Sequence, residues 1–474
     1  MGTIWAPELQ QALSEASGPK YRMLANAIET AISKDILKAG DKLPPVRDLA
    51  YRLSITPGTV ARAYTQLTDR GILEAGVGRG TFVAQPGAQP VLDTRTLELD
   101  AVVHNEGGDV FEVNLVSPHL PNVGQARFIR SVLSRVAEDP PSGVMHYPGF
   151  RTGAAARAAV ASYLAPVALG ALHSEDIALA HGAQNGIMMV MQAVLSGPKP
   201  IILVEELAYP GYRRAAELLR AEVVPVPIDA HGVIPEALEA TVKSTGAQIL
   251  CMSAEVQNPL LFSVPTQRRN EIADVARRTG LHVLEDDTYR LGPVAGPSIR
   301  SLVPERGWFV SSLSKSLSPA LRLGFVVPPE GHAGALRRVA ETGFFGLATP
   351  MSDLAALLLT DPRLPVLQHA LREQVADYIR AMVNILGSHD LVWREDALFV
   401  WLTLPRGWRA NAFARAAEEQ GVQIRTAEDY ADRNSHAPHA IRLAVNAGVS
   451  RKSFEAALER LRELLDHPPQ EIIV

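Results

Sequence analysis

Residues 312–324 read Ser-Leu-Ser-Lys-Ser-Leu-Ser-Pro-Ala-Leu-Arg-Leu-Gly. Lys315 lies among small hydroxyl residues, and Arg322 follows seven positions on. The segment therefore offers an amine for a carbonyl and an anion-binding pair for a phosphate. Upstream, Glu285-Asp286-Asp287-Thr288-Tyr289 closes an apolar strand candidate, and open α/β sheets present ligand-binding residues at that carboxyl edge. A carboxylate there could stabilise a protonated pyridine nitrogen, the electron sink of pyridoxal phosphate chemistry. Earlier still, His181-Gly182-Ala183-Gln184 leads into a helix with Ile187, Val190, Met191, Val194 and Leu195 on one face. The free N–H groups of such a helix start suit a phosphate. Taken singly, each piece has an ordinary reading: a solvated lysine, a capping acid (a role that fits Asp287), a glycine before a helix.

These residues need elements to hold them. Strand candidates at 201–204, 248–253, 281–285, 308–311 and 323–327 alternate with helical patterns from about residue 111, which predicts a mostly parallel sheet with crossover helices. From about 346 the chain is helix-rich, and Phe454, Leu458, Leu461 and Leu465 line one face of a final helix, so 346–474 is expected to form a smaller lobe.

The front of the chain has a different pattern. Tyr21, Leu24, Ile28, Ala31 and Ile32 recur at helical spacing, as do Val46, Leu49, Ala50 and Leu53, and again Val60, Ala63, Tyr64 and Leu67. Only Ser54-Ile55-Thr56 separates the last two, the connection of a helix-turn-helix. Thr59, Arg62 and Gln66 then fall on the face away from the apolar stripe, where an arginine and two polar residues could meet phosphates and base edges. Residues 72–84, two β-rich pieces around Gly-Val-Gly-Arg-Gly, predict the hairpin of a winged helix. The expected division is a winged-helix domain over 1–83, a linker over 84–110, and an α/β domain over 111–474. Fully extended, the linker reaches roughly 90 Å at ~3.3 Å per residue.

Composition narrows the setting. The 474 residues carry a formal charge of −5, but residues 1–83 hold ten Lys and Arg against eight acids, and the remainder 36 against 43. A small basic unit precedes a large acidic one, so nucleic-acid contact is expected to be local. The one cysteine, Cys251, leaves no intramolecular disulfide and no multi-cysteine metal site, and it fits a reducing compartment, with cytoplasm the default. No metal site and no membrane partner are expected.

The run from Gly40 to Ala84 resembles the winged-helix domain of the GntR family of bacterial transcription regulators. The matching pieces are Gly40-Asp41-Lys42-Leu43-Pro44, Arg47-Asp48-Leu49-Ala50, Thr59-Val60-Ala61-Arg62-Ala63-Tyr64 and Gly78-Arg79-Gly80-Thr81-Phe82-Val83. The resemblance implies that Arg47, Thr59, Arg62, Arg79 and Gly80 contact operator DNA. Ala61 and Pro57 stand where other members carry further arginines.

The later segments, in their order, resemble fold-type I pyridoxal phosphate aminotransferases over about 350 residues. By that resemblance Lys315 forms the internal aldimine, Asp286 pairs with the ring nitrogen, and Tyr289 and Asn258 hydrogen-bond the ring oxygen. Gly182, Ala183, Gln184, Ser312 and Arg322 would hold the phosphate. Tyr209 would stack on the ring, Tyr147 would reach the phosphate of a partner subunit, and Arg442 would clamp a substrate α-carboxylate. The family's Asn-Pro-x-Gly reads Asn258-Pro259-Leu260-Leu261 here, Leu207 replaces the proline usual before the stacking aromatic, and Asp396-Ala397-Leu398-Phe399 stands for Gly-Gly-x-Phe.

A GntR winged helix fused to an aminotransferase-like domain resembles the MocR subfamily of regulators. That resemblance implies a homodimeric, cytoplasmic, operator-binding protein whose pyridoxal phosphate site senses an amine, an amino acid or the cofactor itself. The alternative is a working aminotransferase with an appended DNA-binding module.

Overall fold

The computed structural model describes residues 20–69, 72–76, 80–84, 113–149, 151–432, 435 and 437–469. The chain divides into two compact units at residues 95/96. The expected linker, from residue 85 on, and Arg79 of the expected wing tip lie outside the described residues.

In the first unit, α1 (Lys20–Ser33), α2 (Val46–Leu53) and α3 (Pro57–Asp69) bury Leu24, Ile28, Leu49, Val60 and Leu67 in one core. The turn between α2 and α3 works because Ser54 adopts a left-handed conformation, φ 53°, and returns its N–H to the end of α2. Thr56 then caps α3, its hydroxyl accepting from the Thr59 N–H at 3.3 Å. The hairpin consists of β1 (Leu73–Gly76) and β2 (Gly80–Val83), paired antiparallel. Residues 40–43 add a third extended segment. Leu43 N–H donates to Thr81 and Val83 N–H to Asp41, while Lys42 bridges Phe82.

The second unit holds a seven-stranded sheet. Its strands are β3 (Ala178–His181), β4 (Ile201–Glu205), β5 (Glu222–Val226), β6 (Ile249–Met252), β7 (His282–Asp286), β8 (Gly307–Ser312) and β9 (Leu323–Val327), in the order β3-β9-β8-β7-β6-β4-β5. β9 runs antiparallel to both its neighbours, β8 and β3, and the other strand pairs are parallel. Alternate side chains of the central strands feed two buried layers. Cys251, Leu284 and Val310 pack with α4 (Gly182–Val194), whereas Leu250, Met252 and Val283 pack with the helix Thr266–Thr279. Both faces are covered, which explains why these strands read as continuous apolar runs.

A four-stranded antiparallel sheet forms the smaller lobe: β10 (Leu391–Val392), β11 (Phe399–Thr403), β12 (Arg425–Thr426) and β13 (Ala440–Ala444), in the order β10-β11-β13-β12. Helices Arg363–Leu386 and Arg451–Asp466 pack on it, with Phe454, Leu458, Leu461 and Leu465 fully buried or nearly so.

Candidate functional site

Three neighbouring strands build one end of the site. His181 ends β3 opposite Leu323, and Ser312 ends β8 opposite Gly324. Arg322, held left-handed at φ 48°, enters β9 between them and donates to the His181 carbonyl at 3.3 Å. Gly182, φ 78°, opens α4 directly beneath that guanidinium; a Cβ there would lie 2.6 Å from an Arg322 nitrogen. The first N–H groups of α4 have no helical partner. Gly182 thus lets a helix start, an arginine and Ser312 share one small space.

The opposite wall comes from the carboxyl ends of β4 and β7. Tyr209 precedes helix α5 (Pro210–Leu218) and meets Tyr212 edge to face at 5.6 Å. Asp286 ends β7 and accepts from both the N–H and the hydroxyl of Thr288. Burial pushes its carboxyl above the usual value, and the Thr288 bonds pull in the other direction. Asp287 faces away to pair with Arg290 at 2.6 Å, yet burial still pushes its carboxyl up to about 7.

Lys315 follows β8 with its amine 5.3 Å from the Tyr289 ring centre. Burial alone would raise the Tyr289 hydroxyl, but the Lys315 and Arg442 charges leave it below its ordinary value. Arg442 on β13 is 3% exposed, with Nη1 donating to Asn258 Oδ1 and Nη2 to the Val116 carbonyl, each at 2.8 Å.

These parts enclose a cavity of about 240 Å³. Of the residues expected from the sequence, Ala183, Gln184, Tyr209, Asn258, Asp286, Tyr289, Ser312, Lys315, Arg322 and Arg442 all line it. Gly182 shapes its floor from behind Arg322. Tyr147 does not line it: the ring is 84% exposed and stacks with Phe345 at 5.9 Å. Ser117, Arg214, Thr288, Ser314, Pro319, Arg425 and Tyr430 also line the cavity and were not singled out from the sequence. Thr288 and Ser314 lie inside the segments that were quoted. Arg425 and Tyr430 carry no motif of their own; Arg425 is placed by β12 of the small-lobe sheet and Tyr430 by the short turn of helix, Ala427–Asp429, that follows it.

Several buried polar atoms at this site have no hydrogen-bond partner among the described residues: Gln184 Oε1, Asn258 Nδ2 and Ser314 Oγ. Unspent buried groups are costly, and their convergence on one cavity with an amine, a carboxylate and an arginine beside a helix start fits pyridoxal phosphate. Its aldehyde, ring nitrogen, ring oxygen and phosphate each have a chemically matched group.

In the first unit Arg47 and Arg62 are exposed and Thr59 is half-buried. The Arg62 guanidinium lies 4.0 Å from the Tyr21 ring centre, so α1 supports the side chain that α3 presents. Gly80, φ 108°, lies against the Lys42 side chain; a Cβ there would meet Lys42 Cε at 2.7 Å.

A mixed seven-stranded sheet with a helix start, lysine and arginine at its carboxyl edge, and a smaller antiparallel lobe, define an aminotransferase-type domain; ahead of it stands a winged helix-turn-helix. The chain belongs to the aminotransferase class I and II family, whose model matches residues 122–461, and the model for bacterial regulatory proteins of the gntR family matches residues 20–83. This pairing is the MocR-type arrangement. An uncharacterized HTH-type transcriptional regulator of Bacillus subtilis, YdeF, is 28% identical over 474 aligned residues, covering 98% of this chain and 97% of the relative. The HTH-type pyridoxine biosynthesis transcriptional regulator PdxR of Corynebacterium glutamicum is 25% identical, covering 66% of this chain and 67% of the relative. Among solved structures, the Pyrococcus horikoshii kynurenine aminotransferase superposes with a TM-score of 0.67 at 22% identity, covering 75% of this chain and 91% of the other. The aminotransferase fold implies dependence on pyridoxal phosphate. No helix among the described residues is long and apolar enough to cross a membrane.

Proposed function

We propose that this chain is a pyridoxal-phosphate-dependent, DNA-binding transcriptional regulator whose aminotransferase-like unit senses an amine, an amino acid or the cofactor itself at Lys315. The observation that carries this reading is the cavity just described, with its unspent polar atoms matched to one cofactor, in a chain that also carries a winged helix. Bound pyridoxal phosphate supplies an electrophilic carbonyl and an electron-withdrawing ring.

The Lys315 amine would hold the cofactor at its carbonyl end. The Asp286 carboxylate would pair with the ring nitrogen, Tyr209 would pack against the ring, and Tyr289 and Asn258 would hydrogen-bond the ring oxygen. Ser312, Arg322 and the N–H groups of Gly182, Ala183 and Gln184 hold the phosphate, and Arg442 binds the carboxylate of an incoming amino acid. Arg47, Thr59, Arg62, Arg79 and Gly80 contact double-stranded operator DNA. The winged-helix domain spans 1–83 and the linker 84–110. The protein works in the cytoplasm as a homodimer, in which exposed Tyr147 reaches the phosphate bound by the partner subunit.

An amine bound beside Lys315 would change the charge inside the cavity and so shift the population of DNA-binding states. Two measurements test this. Borohydride reduction is expected to fix the cofactor on the peptide containing Lys315, and Lys315→Ala is expected to abolish that adduct while leaving DNA binding intact. Binding to the DNA upstream of its own gene is expected to change when cofactor and amine are added; equal binding in every state would overturn the proposal. Turnover of an amino acid with 2-oxoglutarate at ordinary enzymatic rates would support the alternative, a working aminotransferase, for which Lys315 and Arg442 are also suited.

A further inference from the structure

Among the described residues, five cationic side chains line the cavity, Arg214, Arg322, Arg425, Arg442 and Lys315, against one carboxylate, Asp286. In the reading proposed above, the phosphate occupies Arg322 and the carbonyl occupies Lys315. Three arginines are then left with nothing negative between them.

Two of the three form an unusual pair. Arg425 on β12 stands directly opposite Arg442 on β13 in the antiparallel register. Side chains at such positions have Cβ atoms ~5 Å apart, and like charges there destabilise a sheet. Neither arginine makes an ion pair among the described residues. Arg442 is buried, and its partners are the amide oxygen of Asn258, the carbonyl of Val116, the Tyr289 hydroxyl and the rings of Phe399 and Tyr430. Arg425 and Arg214 make no ion pair among the described residues. The Nε atoms of Arg425 and Arg442 and the hydroxyl of Tyr430 are all buried without a hydrogen-bond partner among the described residues. Tyr430 is 1% exposed, and its backbone is fixed by hydrogen bonds from Arg213 and Ala208.

A buried guanidinium without a counter-charge is expensive, and here the buried Arg442 stands in register with the half-buried Arg425 beside an unspent hydroxyl, with Arg214 on the same cavity wall. We propose that the effector is an amino compound with two acidic groups, an acidic amino acid rather than a neutral one, and that Arg425 is the residue that selects it. Arg442 takes one carboxylate. Arg425, assisted by Arg214 and the Tyr430 hydroxyl, takes the other. Planar guanidinium groups suit this because each can pair with a carboxylate through two N–H groups. The amine-sensing part of this inference rests on the proposed function; the anion site does not.

The test compares L-glutamate with L-glutamine on the full cofactor-loaded chain, because the two share length and amino-acid end and differ only in the distal charge. Binding is followed by calorimetry and by the visible absorbance of the bound cofactor. Glutamate is expected to bind at least ~10-fold more tightly, the scale set by an unmade hydrogen bond to a charged group. Arg425→Gln is expected to bring the glutamate/glutamine ratio close to one, and Arg214→Gln to reduce it. Glutarate, which has two carboxylates and no amine, is expected to raise the melting temperature of the wild type more than that of Arg425→Gln. Equal or weaker binding of glutamate by the wild type, or an unchanged ratio in Arg425→Gln, would overturn the proposal. If glutarate protects through Arg425 but no amine alters the cofactor absorbance, the anion site stands and the sensing reading fails.

Discussion

Glu205 is a buried acid that makes no ion pair among the described residues. It ends β4, is 1% exposed, and accepts from the Ser253 N–H at 3.3 Å, while Oε1 has no hydrogen-bond partner among the described residues. Burial pushes its carboxyl up to about 8, against an ordinary 4.5. The folded chain therefore binds this proton more tightly than the unfolded chain does. Its contribution is fully present below pH ~4.5 and is lost as the pH rises toward 8, at up to ~1.4 kcal/mol per pH unit. Glu205→Gln, a neutral isostere of the protonated acid, should escape that loss. The melting temperature of the variant minus that of the wild type is expected to widen from pH 5 to pH 8 and then level off; a constant difference would mean that Glu205 is ionised in the folded chain. Asp286, Lys315 and Arg322 were legible in the sequence because each lies in a short run of distinctive residue types. Glu205, Arg425 and Tyr430 were not, because their roles arise from what tertiary packing puts beside them. Leu261 is an intermediate case. It occupies the glycine position of the family pattern, and the structure gives it the left-handed φ of 68° that a glycine would adopt freely. Leu261 is also 2% exposed and belongs to the core. Burying a leucine, at ~2 to 3 kcal/mol, outweighs the ~1 to 2 kcal/mol that left-handed backbone costs, so the side chain and the strain can coexist.

At the scale of elements, all five strands expected in the large sheet are present within one or two residues, and the final helix buries the expected face. The two strands that were missed have weak signals for physical reasons. β3 is Ala-Leu-Ala-His, short and built from small residues, and β5 is Glu-Val-Val-Pro-Val, where Pro225 argues against a central strand. β5 is in fact the edge of the sheet, where proline is tolerated. The segment 40–43 was read as a motif rather than a strand, since its pairing with β2 uses backbone groups that leave no alternation in the side chains. Helix α3 shows how neighbouring elements set a side chain. Arg62 was expected on the exposed face and is exposed, but Tyr21 of α1 lies beneath it at 4.0 Å. A positioned arginine on a recognition helix loses less side-chain freedom on binding DNA than one waving in solvent. Arg62→Ala is expected to weaken binding to operator DNA and, through one lost phosphate contact, to reduce the salt slope by about one unit. Its stability should fall by no more than ~1 kcal/mol, the value of an exposed cation–aromatic contact. Measuring affinity across salt concentrations separates the two effects: an unchanged slope would place Arg62 away from the phosphates.

The whole molecule joins two units of opposite charge, +2 over residues 1–83 and −7 over the rest. The larger unit carries no net positive charge to attract DNA, so an effector of the proposed kind would not act by simply adding or removing a basic surface of the protein as a whole. Such an effector would act by binding one conformational state more tightly than another, and the change in DNA affinity would be bounded by that difference. Thermodynamic linkage then fixes a symmetry. If saturating effector changes operator affinity by a given factor, saturating operator must change effector affinity by the same factor. A coupling of ~5- to 150-fold is expected. Titrating L-glutamate into the cofactor-loaded full chain with and without operator DNA, and titrating DNA with and without glutamate, should give matching factors. Lys315→Ala is expected to bring both toward one while keeping DNA binding, because the competition for the carbonyl is gone. Two factors of one in the wild type would mean that the winged helix and the cavity, each well formed, operate independently; a shared factor above five would make the cavity the input of a switch whose output is the winged helix.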